Sequence, residues 1–192
     1  MMETPLIRAF LDASVVYPAL LRNILMHLAM QGLFQAYWSR RIHGEWIEAL
    51  LRDRHDLSRA RLERTRDLMD TNIQDALVEG YEHRIEALNL PIPNDRHVLA
   101  AAIQCEANVI VTANLRDFPD SVLAGYGIEA VHPDAFITSL LNENPQAVIG
   151  ALHRLRQALV NPPITAAEFL AAMRRLDLIA SAGALAPHID AL

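Results

Sequence analysis

Apolar positions along this chain change period several times, and each change marks an element. Ile7 to Leu11, interrupted only by Arg8, is a short apolar run. Val109-Ile110-Val111-Thr112 and Ile128 to Val131 are two more. Short runs of this kind predict strands, the first two of them buried. Between them the spacing becomes helical. Leu20, Leu21, Ile24, Leu25, Leu28 and Ala29 form one stripe, entered from Ser14 or Tyr17 through Pro18 and stopped near Gly32. Ile42, Trp46, Ala49 and Leu50 mark a second helix over about 39–53, with Glu45 beside its apolar face. An arginine-rich third helix covers about 57–69. The stretch 75–89 is ambiguous, with Leu77, Tyr81, Ile85 and Leu88 suggesting helix in its latter half. Pro91 to Asn94 is a loop, and Asn94 or Asp95 is placed to cap a helix over 96–106. Pro119-Asp120 and Pro133-Asp134 each open a further helix. Strands alternating with helices predict an α/β fold with a parallel sheet and helices on both faces.

Beyond about Leu141 the pattern is purely helical. Asn144-Pro145 starts a helix, Asn161-Pro162-Pro163 breaks the chain, and Thr165 to Glu168 reads as a capping box. Phe169, Leu170, Met173 and Leu176 then share a face. A last helix is expected near 178–186. The expected organisation is one α/β domain over 1–142 and a helical module over 143–192 that folds back onto it through Phe169, Leu170 and Met173.

Composition narrows the function classes. No window holds eighteen uncharged apolar residues, so no membrane span or signal peptide is expected. One cysteine, Cys105, forms no internal disulfide, which fits a reducing, cytoplasmic setting. The net charge of −6 argues against a general coat for nucleic acid. Locally the sign reverses: Arg40 to Arg66 holds eight arginines against five acids. That stretch is either a solvated face or a phosphate-gripping groove. All seventeen basic residues are arginine. Without lysine, a phosphotransfer receiver site is excluded. Ser14 stands where a haloacid-dehalogenase-like phosphatase needs a second Asp, and the eight histidines and one cysteine show no zinc-ligand spacing.

The candidate chemistry lies in acids. Asp12 ends the first apolar run, and a strand's C-terminal end is where open α/β sheets build sites. Glu45 and Asp95 sit on or before helices, and Asp117 follows the second run. Each has a bland alternative, as a helix cap or a solvated carboxylate. If they converge they repel unless a cation binds between them, and hard oxygen ligands suit Mg²⁺ or Mn²⁺.

Four blocks carry a resemblance over about residues 5–140: Phe10-Leu11-Asp12-Ala13-Ser14 with Pro18; Glu45-Trp46-Ile47; Asn94 through Ala102; and Thr112 through Pro119. In this order they resemble the PIN-domain ribonucleases, especially VapC-type toxins of bacterial toxin–antitoxin pairs. The resemblance implies a PIN-like α/β/α sandwich with a central parallel sheet, and a C-terminal helical extension found in longer members. It implies a Mg²⁺- or Mn²⁺-dependent endoribonuclease, an RNA substrate, a cognate antitoxin and a homodimer. It implies Asp12, Glu45 and Asp95 as the catalytic, metal-binding acids. Asn114 takes a fourth position that is often acidic, and Asp117 stands near it as a further catalytic or supporting group. Ser14 or Thr112 would orient a metal-bound water. His97 reads as helix packing or a satisfied polar contact. The alternative is a PIN fold that binds RNA or protein without cutting.

Overall fold

The computed structural model describes residues 6–192. Five parallel strands run β1 (Arg8–Leu11), β2 (Gln35–Ser39), β3 (Leu77–Val78), β4 (Val109–Val111) and β5 (Glu129–Val131). Their order in the sheet is β3-β2-β1-β4-β5. Helices fill the connections: α1 (Ala13–Val16), α2 (Ala19–Met30), α3 (Arg40–Asp53), α4 (Arg59–Asn72), α5 (Arg96–Gln104), α6 (Asp120–Leu123) and α7 (Pro133–Glu143). Three more follow, α8 (Pro145–Ala158), α9 (Ala166–Arg175) and α10 (Ile179–Leu185). The expected α/β architecture with a central parallel sheet and a helical extension is the one observed.

Two strands were not legible from the pattern. Gln35 to Ser39 lacks the plain apolar run of its neighbours, yet Ala36, Tyr37, Trp38 and Ser39 are all buried. Ser39 then caps α3 by accepting from the Ile42 N–H at 3.2 Å, so strand passes into helix with no loop between. In the ambiguous stretch 75–89 the structure holds the unforeseen β3 and, in the latter half where helix was suggested, a 3₁₀ helix over Glu82–Ala87. The expected first helix is split: α1 ends at Val16, and Pro18 stands just before α2.

The sheet fixes where a site can form. From β1 the chain crosses to β2 and β3 on one side, then returns to β4 and β5 on the other. The strand order therefore reverses between β1 and β4, and a crevice opens beyond their carboxyl ends. Leu11 pairs with Val111, and the Asp12 N–H donates to the Val111 carbonyl at 3.1 Å. Asp12 and Thr112 thus leave the sheet side by side.

The C-terminal helices share the domain's core. α8 packs on α2 and α7, and α10 packs on α7. Phe169, Leu170 and Met173 are buried, and α9 packs chiefly against α10 and the final 3₁₀ turn (Ala186–Ala191). Asp134 ties α7 to α10. Its carboxylate accepts from the Ala180 and Ser181 N–H groups at 2.8 Å each, and from the Ser181 hydroxyl at 2.6 Å. Burial raises the Asp134 carboxyl, but these hydrogen bonds and the nearby His132 outweigh it and hold it below the usual aspartate range. The capping box forms as read: the Glu168 N–H donates to Thr165 Oγ1 at 3.2 Å, and the Thr165 N–H to Glu168 Oε2 at 2.8 Å.

Candidate active site

Asp12 is 9% exposed and has little freedom. Its Oδ1 accepts from the Ala13 N–H at 2.8 Å, which starts α1. Its Oδ2 accepts from the Ser14 hydroxyl at 2.6 Å and the Thr112 hydroxyl at 2.8 Å. Both hydroxyls give their single proton to Asp12 and so orient its carboxylate. Each also accepts a backbone N–H: Ala113 to Ser14 Oγ at 3.1 Å, and Asn114 to Thr112 Oγ1 at 3.0 Å. These bonds pin the β4 exit, which carries Asn114 and Asp117, against the β1 exit.

Asp95 closes a 3₁₀ turn, Pro93–Asp95, at the head of α5. It stands at the N-cap position but makes no capping hydrogen bond, so that expected alternative does not apply. Its carboxylate is half-buried and accepts no hydrogen bond among the described residues. Burial raises its pKa first, and the charges of Asp117, Asp12 and Glu45 raise it further, against the opposing pull of His97. The convergence expected of these acids is therefore present in three dimensions.

Glu45 enters from α3. Its Oε1 lies 2.9 Å from His97 Nε2 and 3.2 Å from Arg41 Nε. Burial raises the Glu45 carboxyl, but the hydrogen bonds and charges of His97 and Arg41 more than offset this and leave it depressed. Arg41 also donates to the Asn94 side chain at 2.6 Å, tying α3 to the turn that carries Asp95. Sequence reasoning left His97 as helix packing or a satisfied polar contact and did not place Arg41 at the site. The Arg41–Glu45 pair is an i,i+4 contact within α3 that helical spacing could have shown, whereas the His97 contact depends on how α3 meets α5.

One cleft of about 320 Å³ gathers Asp12, Ser14, Glu45, Asp95, Asn114 and Asp117. Tyr17 and Trp46 form part of its wall. Among the described residues, no three acid, histidine or cysteine side chains stand close enough to hold one ion directly. The donor set is all oxygen, anionic and short of proton donors around Asp95. It fits a hard cation that keeps part of its water shell.

Residues 8–116 match the family model described as PIN domain, more than half of the chain. This chain belongs to the PIN domain family. Residues 133–187 match the model described as VapC50 C-terminal domain, which starts at α7. Over 98 residues the chain is 41% identical to a protein of Mycobacterium tuberculosis (strain ATCC 25618 / H37Rv) named "Putative ribonuclease VapC50". The match covers 51% of this chain and 57% of that relative, so it spans little more than half of its length. No solved structure matches.

Two buried networks brace the PIN domain behind its cleft. Trp38 on β2 donates its indole N–H to Asp70 Oδ1 at 2.7 Å, and His43 Nε2 meets the same oxygen at 3.0 Å. Trp46 in turn donates to His43 Nδ1 at 3.1 Å, which assigns the histidine proton to Nε2. β2, α3 and α4 are locked together by this chain of bonds. On the other side of Trp46, Arg22 lies 4.8 Å from the ring centre and donates to the Val16 carbonyl at 2.8 Å. Burial without a carboxylate partner lowers the Arg22 pKa to about 10. Arg22 thereby holds the end of α1 to α3, the elements that follow Asp12 and carry Glu45.

The arginine-rich stretch of the PIN domain is largely paired. Arg40 meets Glu79, Arg41 meets Glu45, Arg52 meets Asp53, Arg54 meets Asp56, Arg59 meets Glu48 and Arg66 meets Asp67. Two of these acids, Asp67 and Glu79, lie beyond the 40–66 window. The local excess of positive charge read from that window is thus partly cancelled in the fold.

Proposed function

We propose that this chain is a metal-dependent endoribonuclease, the toxin of a toxin–antitoxin pair. The observation that carries the reading is the convergence of Asp12, Glu45, Asp95 and Asp117 at the switch point of a PIN fold. The name of the 41%-identical relative supports it. Asp12, Glu45 and Asp95 would hold Mg²⁺ or Mn²⁺, with Asn114 and Asp117 completing the set. Such a cation, when bound, offsets phosphodiester charge and lowers the pKa of a coordinated water. The chain's own residues do the positioning. Ser14 and Thr112 fix Asp12, His97 and Arg41 fix Glu45, and the turn before α5 presents Asp95 without engaging it. RNA is the substrate of this reading, and a cognate antitoxin and a second copy of the chain are its partners. The cytoplasm is its compartment.

Asn114 favours one competitor, a PIN fold that binds RNA or protein without cutting. A neutral amide at that position leaves the site one charge short. Purified full-length protein, incubated with a plain RNA and Mg²⁺ or Mn²⁺, separates the two. Wild type should cut, a chelator should stop it, and Asp95→Asn should abolish cleavage. Because the Asp95 carboxylate accepts no hydrogen bond among the described residues and is crowded by like charges, the variant should melt no lower than wild type. Full activity in Asp95→Asn removes the assignment. Absence of metal-dependent cleavage in wild type favours the binding module.

A further inference from the structure

His97 sits in the first turn of α5, 1% exposed. Its Nδ1 is buried with no partner. Leucine would fill comparable space without stranding a nitrogen, so packing alone does not account for an imidazole here. Its one polar contact among the described residues is Glu45 Oε1, at 2.9 Å. A carboxylate oxygen accepts, so Nε2 carries the proton. Arg41 reaches the same oxygen from the exposed rim, where water competes. His97 reaches it from the core, where the packing of α5 sets the angle.

We propose that His97 is a positioning residue for cation binding: it fixes Glu45 through Oε1 and leaves Oε2 as the oxygen free for a divalent ion. Oε2 accepts no hydrogen bond among the described residues, so a ligand is its available partner. The inference rests on the reading of Glu45 as a cation-holding acid. A buried donor that orients a ligating carboxylate acts as outer-shell partners of metal sites do, and losing one typically weakens metal binding by about 10- to 100-fold.

Mn²⁺ binding to the full chain, measured by calorimetry without RNA, tests this apart from activity. His97→Leu should weaken Mn²⁺ binding by about 10-fold or more. His97→Gln carries a donor near the Nε2 position and should recover most of the loss. In a Glu45→Gln background, His97→Leu should add little further loss, since the two act through one carboxylate. His97→Met, another donor-free side chain, replaces His97→Leu if that variant does not fold. Unchanged Mn²⁺ affinity in His97→Leu, with Glu45→Gln weakened, overturns the role of His97 and leaves Glu45 in place. Equal weakening in His97→Gln and His97→Leu shows that shape matters and not the donor, and also overturns it. Unchanged affinity in Glu45→Gln removes the reading of Glu45 and the inference with it.

Discussion

Replacing Asp134 by alanine tests how α10 is held to α7. The carboxylate accepts three hydrogen bonds from α10, two at 2.8 Å and one at 2.6 Å. A hydrogen bond to a charged group is worth about 1.5–3 kcal/mol, and capping substitutions to alanine cost about 0.5–2 kcal/mol. Asp134 is only half-buried and the three bonds share one carboxylate, so simple addition overstates the loss. A cost of about 2–3 kcal/mol is expected, which for a chain of this size lowers Tm by about 5–10 °C. The pH dependence provides a second check. The folded-state pKa of Asp134 is depressed, so its stabilisation is complete above the unfolded pKa and disappears as pH falls through the folded one. The Tm gap between wild type and Asp134→Asn should be constant from pH 7 to about 5 and narrow below about pH 4. Differential scanning calorimetry across that range measures both. A Tm gap under 2 °C for Asp134→Ala at pH 7, or a gap unchanged down to pH 3, refutes the argument.

Other substitutions probe the rest of the frame. Thr112→Val removes the donor to Asp12 and strands the Asn114 N–H, so it should cost about 1–3 kcal/mol in urea unfolding and slow RNA cleavage. Phe169→Ala should cost about 3–5 kcal/mol by opening a cavity in the extension, while Mn²⁺ binding at the cleft stays at the wild-type value. Asn114→Asp should tighten Mn²⁺ binding by calorimetry, and an unchanged titration would make Asn114 a turn residue only.

Some elements were legible in the sequence because burial on both faces leaves a plain record. β1 and β4 are such runs and lie where the apolar pattern put them, as does the edge strand β5, which is only partly covered. β2 escaped because Gln35, Tyr37, Trp38 and Ser39 carry polar atoms that the fold satisfies from far away, as Asp70 does for the Trp38 indole. β3 is only two residues long and leaves no period to read. The acids of the cleft could be picked out by the resemblance of their four blocks to the PIN domain, helped for Asp12 and Asp95 by settings at a strand end and a helix start. Of their partners, Arg41 stands one helical turn before Glu45 and was within reach of the pattern, but His97 meets Glu45 only after α3 and α5 have packed. The window from Arg40 to Arg66 looked basic for a related reason. Asp67 and Glu79, which neutralise Arg66 and Arg40, stand outside it.

The bond running Trp38–Asp70–His43–Trp46 also gives the molecule an internal optical probe. The chain has two tryptophans, both fully buried, and this network links them. Trp46 forms part of the cleft wall and has Arg22 over its ring, whereas Trp38 lies in the sheet beside Asp70. Filling the cleft should therefore shift the emission of Trp46 and leave that of Trp38 almost unmoved, so a Trp38→Phe variant isolates a fluorescence signal for occupancy that needs no label and no substrate turnover.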